Sequence, residues 1–197
     1  ESAHHAYEAA EAIAVTSYSS VFNSHPALAD ADLIVFDDAH AGEQYVGDAY
    51  AVTLSRWQDR DDYDAMLTAV APALDGVFVE RLRAATADPG FSDSVRLVVP
   101  LRQSDMVSRV KTALTSIGGP QRFNFAMIRD GLASCLVYVS YSTILIRPYL
   151  PPTHQNPLFS GARQRLYLSA TLGEAGELER AFGRPSIARL ALEEGST

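Results

Sequence analysis

The chain has 197 residues, 47% hydrophobic and 20% charged, which is an ordinary globular composition and enough for one large domain or a domain carrying an insertion. No run approaches the roughly 18 apolar residues of a membrane-crossing helix, and the start ESAHHAYEAAEAIAV lacks the basic region of a signal peptide, so no membrane partner and a cytoplasmic location are expected. The net charge of −8 is unevenly spread: residues 1–100 carry a balance of −12, residues 101–165 one of +6, and the remainder −2, which suggests a polyanionic partner for the basic part.

In chain order, residues Ala3 to Glu11 read as a short helix and AIAVT, Ala12 to Thr16, as a compact strand. Hydroxyl-rich turn and cap chemistry follows, then LIVFD as a continuous apolar strand starting at Leu33. AHAGEQYVGDAY predicts a helix interrupted by Gly42 and Gly47, and AVTLSRW a strand or extended link. From Arg60 to Ala85 apolar residues recur at helical spacing, so a helix or helix pair is expected there. TADPGFSDS is a loop, and Met106 to Ile117 repeats the helical period before GGP stops it. SCLVYVSYSTILIRP is strand-like and suits a hairpin, ahead of an extended proline-rich stretch. RLYLSAT, Arg165 to Thr171, is a further strand; a helix from Glu174 to Phe182 and a last strand from Ile187 to Leu190 complete the pattern. Strand–helix–strand order at both ends argues for an α/β layer with a parallel sheet, interrupted by a mostly helical insertion. The expected divisions are 1–56, 57–133 and 134–197.

Two strand ends carry hydroxyl and carboxylate groups: Asp37, Asp38 and His40 in DDAH, and Ser169, Ala170 and Thr171 in SAT. Strand ends are where open α/β sheets place ligands, although an aspartate there can also serve as a helix cap. In this order the two motifs resemble motifs II and III of superfamily 2 helicases, the DEAD/DEAH-box ATPases. AIAVTSYSSVFN resembles the strand and nucleic-acid-contacting turn that precedes motif II, and a long insertion between motifs II and III is similar to the XPD-like DNA-repair branch. The resemblance implies a partial RecA-like motor domain whose cofactors are ATP and Mg²⁺ and whose partner is single-stranded DNA. The motor would couple ATP hydrolysis to translocation along that strand.

By the same resemblance, Asp37 would hold Mg²⁺ through water, Asp38 would act on the attacking water, and His40 would connect to motif III. Ser169, Ala170 and Thr171 would couple nucleotide state to strand grip. The family usually has Glu where this chain has Asp38, one methylene shorter. Thr16, Ser17 and Tyr18 would contact the nucleic-acid backbone. The plainer alternatives are a surface histidine at position 40, helix-capping hydroxyls at 169 and 171, and a simple hydroxyl turn at 16–18.

A P-loop requires G-x-x-x-x-G-K-[ST], and the single lysine, Lys111, stands in the helical context VKT. The resemblance therefore implies that the P-loop segment lies upstream and a second RecA-like domain downstream, in a longer protein. A single cysteine, Cys135, excludes an internal disulfide and leaves this chain unable to hold an iron–sulfur cluster alone. The alternative is a catalytically incomplete helicase-like module that binds nucleic acid or protein; an unrelated α/β domain is the third reading.

Arginines and aromatics intermingle in the basic segment: Arg102, Arg109, Lys111, Arg122, Arg129 and Arg147 lie among Phe123, Phe125, Tyr138, Tyr141 and Tyr149. These are the ingredients of a single-strand channel, with Arg109 and Lys111 the expected phosphate contacts. A solvated helix face beside ordinary core aromatics is the alternative, with VYVSYSTILI as core strand.

Overall fold

The structure, a computed structural model, describes residues 2–84, 86, 90–102, 105–171 and 176–190. Two sheets organise it. The smaller is parallel: β1 (Leu33–Phe36) pairs with β6 (Gln164–Tyr167), Val35 opposite Leu166 and Phe36 opposite Tyr167. The larger is antiparallel, in the order β2 (Val52–Ser55), β5 (Thr143–Pro148), β4 (Cys135–Val139) and β3 (Arg96–Val98). The molecule is thus mixed α/β: the expected parallel sheet is present as the β1–β6 pair, and the larger sheet is antiparallel. The reason lies in the 135–148 hairpin. Its turn is held by Ser140 N–H donating to Thr143 O at 3.0 Å and by Thr143 N–H donating to Ser140 Oγ at 3.1 Å, and so short a connection permits only antiparallel pairing.

Helix α3 (Ala39–Ala49) leads from the parallel sheet to β2 and runs unbroken through Gly42 and Gly47. The helical spacing after residue 60 resolves as α4 (Arg60–Val70) and α5 (Gly76–Arg83), and the period from 106 as α6 (Met106–Thr115). Tyr63, Met66 and Val70 of α4 and Met106, Val110 and Leu114 of α6 cover one face of the antiparallel sheet, burying Val52, Leu54, Val137, Val139, Ile144 and Ile146. Each such fully buried side chain contributes about 1.5–3 kcal/mol relative to exposure. The buried Arg56 caps this layer: its guanidinium donates to Leu82 O and to Ala84 O at the end of α5 and lies 4.0 Å from the Tyr141 ring centre.

The core continues around the parallel sheet as an aromatic cluster. Helix α1 (Ser2–Glu8) and the short α2 (Tyr18–Val21) precede β1, and α8 (Pro157–Gly161) and α9 (Glu177–Ala181) flank β6. Phe36 lies 5.2 Å from Phe182, 5.3 Å from Tyr167 and 5.8 Å from Phe159, ring centre to ring centre. Asn156, buried here, donates from Nδ2 to Val21 O at 2.8 Å and accepts at Oδ1 from Phe159 N–H at 2.8 Å.

Several sequence expectations change. Residues 12–16 form no strand, and Ile13 and Val15 are 93% and 96% exposed, because no strand among the described residues offers them a ladder. Residues 187–190 are likewise not a strand; the Ile187 amide is taken by the Glu179 carboxylate instead. The helix expected from 174 begins outside the described residues, which show α9 from Glu177. Within the helical middle, β3 and α7 (Gln121–Ile128) are additions. The antiparallel sheet draws on all three segments: β2 of the first pairs with β5 of the third, and β3 of the second with β4 of the third. Among the described residues no helix is long and apolar enough to cross a membrane.

Candidate functional site

The two strand ends meet. Leu168 N–H donates to Phe36 O at 2.8 Å, and Ala39 N–H donates to Leu168 O at 2.8 Å, so the parallel ladder continues past both strands into the motifs. DDAH and SAT, 128 residues apart from Ala41 to Leu168, are therefore neighbours. His40 and Thr171 line one shallow cleft with Glu43, Glu177 and Leu178.

Asp37 and Asp38 follow the buried Phe36 and are both exposed. Asp37 Oδ1 accepts the Asp38 amide at 3.0 Å, which fixes its carboxylate against the turn. Asp38 occupies the position before α3 but in the left-handed region, φ 47° and ψ 54°, with no side-chain cap bond. A capping aspartate has extended dihedrals and accepts from the helix's first amides; Asp38 does neither. Its carboxylate projects at the strand end without a capping duty. The left-handed backbone also accounts for aspartate here, since Asp and Asn are the side chains enriched in that conformation.

Gly42 sits one turn into α3 under the Tyr18 ring, and an added Cβ would stand 2.6 Å from Tyr18 Cε1 and 2.9 Å from Phe182 Cζ. The Tyr18 ring stacks between Phe36, at 5.5 Å, and Tyr45, at 5.7 Å, and its hydroxyl donates to Asp37 O at 2.8 Å. Burial first, then the nearby Asp38 and Asp37 carboxylates, push the Tyr18 phenol up to about 12. Tyr18 is thus a prop for the acidic turn. Ser17 caps α2, its Oγ accepting from Ser20 N–H at 3.3 Å, and Thr16 is exposed. No sequence signal pointed to Gly42 or to this use of Tyr18.

Ser169 Oγ donates to Thr171 O at 3.1 Å and accepts from Thr171 N–H at 3.3 Å, a turn closed within SAT itself. Helix α9 starts after Gly176, whose amide is taken by Glu179 Oε2 at 3.0 Å, so Ser169 and Thr171 are not its caps. Ala170 is exposed between them.

The donor set can be tested for a metal. Among the described residues no group of three or more His, Cys, Asp or Glu side chains gathers to enclose an ion. Asp37 and Asp38 suit Mg²⁺, which typically uses one or two carboxylates and completes its shell with water and substrate phosphates.

The basic segment divides. Arg109 is half-buried, its Nε shielded without a hydrogen-bond partner among the described residues and its Nη2 4.0 Å from Met106 Sδ, whereas Lys111 is exposed. Two residues apart on a helix point to nearly opposite sides, so the pair does not converge on one phosphate. Phe125 and Tyr141 are core, while Phe123 and Tyr149 are exposed and Tyr138 is half-buried. Cys135 is buried, and burial pushes its thiol up to about 12, leaving it unreactive. No family model and no curated protein matches this chain.

Proposed function

We propose that the chain is part of an ATP-dependent nucleic-acid helicase, the DDAH- and SAT-bearing portion of a RecA-like motor domain in a longer protein. The observation that carries this is the ladder joining Phe36, Leu168 and Ala39, which sets Asp37, Asp38 and His40 beside Ser169 and Thr171. Asp37 would hold Mg²⁺, which supplies charge neutralisation at the terminal phosphates of ATP. Asp38, uncommitted to capping, would accept the proton of the attacking water. His40, on the cleft it shares with Thr171, would relay nucleotide state to SAT. Single-stranded DNA is the track. The chain's lack of a P-loop assigns the phosphate cradle to another segment.

The test belongs to the full-length protein. Asp38→Asn keeps a side chain suited to the left-handed backbone but removes the charge, so ATP turnover stimulated by single-stranded DNA should fall on the order of 100-fold or more while nucleotide affinity stays. Turnover that survives Asp38→Asn would remove the catalytic role of the doublet and, with it, the motor assignment.

A further inference from the structure

We propose that the outward face of the antiparallel sheet is a stacking platform for single-stranded nucleic acid. It is separate from the DDAH–SAT cleft and rests on the helicase reading only for the polymer it would serve. The alternation that buries one face of the hairpin leaves the other uncovered by α4 and α6: β4 reads buried, half-buried in turn from Cys135 to Val139, and β5 continues the pattern to Pro148. The outward residues form one row across all four strands, Leu97 opposite Tyr138, Tyr138 opposite Leu145, and Leu145 opposite Thr53. Beside it Arg147 stands opposite Leu136. Tyr149 continues the same alternation one residue past β5, its amide bonded to Ser134 O at 3.2 Å, and is 65% exposed.

Charge selects the occupant. None of the residues in β2, β3, β4 or β5 is acidic, although the chain as a whole carries −8. Arg147 is exposed between Tyr138 and Tyr149, on the same face as both. At the β2 edge, Thr53 N–H donates to Gln121 Oε1 at 3.0 Å, where α7 begins with the exposed Arg122 stacked 4.6 Å over the Phe123 ring. Aromatic faces for bases with arginines among them for phosphates are the elements of sequence-tolerant single-strand binding. The platform ends at a cavity of about 470 Å³ walled by Tyr149, Ser134, Cys135, Pro148, Pro152 and Gln155. Its lining contains His154 but no Asp, Glu, Lys or Arg, which suits an uncharged ring better than a phosphate.

The test uses this chain and a fluorescent oligothymidylate, without nucleotide, followed by anisotropy over a range of salt. Tyr149→Ala should weaken binding roughly 5- to 150-fold, the usual loss for one stacked base. Arg147→Gln should flatten the log–log salt slope by about 0.7. Ultraviolet cross-links should fall on the peptides holding Tyr138 and Tyr149. Both exposed positions, 147 and 149, can change without disturbing the core, and circular dichroism checks the fold. The proposal is overturned by absent binding at low salt, by wild-type affinity in Tyr149→Ala and Arg147→Gln together, or by cross-links confined to other peptides. Sedimentation that shows a dimer abolished by Leu97→Glu would also overturn it, since the face would then belong to a second copy. If binding fails while the full-length protein keeps Asp38-dependent turnover, the platform falls and the motor stands. The reverse result leaves the platform alone standing.

Discussion

At the scale of single residues, two glycines on α3 that look alike in sequence differ in what surrounds them. A methyl group at Gly42 would press on Tyr18 Cε1 and Phe182 Cζ at 2.6 and 2.9 Å. Tyr18 has little room to give, since its ring is stacked on both sides and its hydroxyl is tied to Asp37 O. Gly47 meets nothing within 4 Å. Ala exceeds Gly in a helix by about 1 kcal/mol, while overpacking costs about 1–3 kcal/mol. Gly47→Ala should therefore stabilise the chain by about 0.5–1 kcal/mol, and Gly42→Ala should destabilise it by about 1–2 kcal/mol, read as opposite shifts of the urea midpoint. Equal shifts in the same direction would mean that α3 does not pack on Tyr18. The same crowding ties stability to the site, because the ring that Gly42 accommodates supports the turn holding Asp37 and Asp38.

At the scale of elements, the end of the described chain is held to α9 by one carboxylate. Glu179 accepts from Arg189 Nη1 at 2.7 Å and Nη2 at 3.1 Å, from Ile187 N–H at 3.2 Å and from Gly176 N–H at 3.0 Å. The Arg189 guanidinium first, and the backbone amides after it, hold the carboxyl down at about 2, against an ordinary value of 4.5. A depressed folded value means that the stabilisation is complete above about 4.5 and is lost as pH falls from there toward 2. The protection factor of the Ile187 amide, its exchange rate corrected for the intrinsic pH dependence, should fall across that window, and Glu179→Gln should leave it low and flat with pH. An Ile187 amide equally protected at both ends of the window would show that the latch does not hold 187–189. This latch also explains why 187–190 misled the sequence reading: a β-prone run needs a ladder, and here a side chain takes the first amide. Residues 12–16 failed for the same reason, having propensity without a partner. By contrast α4, α6 and the 135–148 hairpin were legible, since periods of 3.6 and 2 over ten or more residues record burial on one face. The three-residue β3 is too short to show a period at all.

At the scale of the whole molecule, the strand ends carrying DDAH and SAT were legible as apolar runs closing on polar residues, their juxtaposition being what the resemblance implied. The antiparallel layer between them was not, because which strands pair depends on contacts far apart in sequence, such as β2 with β5. The parallel sheet that carries the motifs also differs from the antiparallel one in how it is covered. Both faces of a parallel sheet are normally buried. Here Phe36 and Tyr167 face the aromatic cluster, while Leu33, Val35, Leu166 and Leu168 stand about half-exposed on the other side, with Val35 and Leu166 directly paired. Contiguous exposed apolar surface of this kind binds hydrophobic probes and promotes association. The isolated folded chain should therefore enhance the fluorescence of an anionic naphthalene dye. Val35→Thr with Leu166→Thr, which places a strand-favouring β-branched residue at both positions, should reduce that enhancement and the concentration-dependent light scattering while the melting temperature holds. Should the double substitution lower the melting temperature and leave the dye signal intact, the four side chains belong to a packed core and the dye is reading another surface.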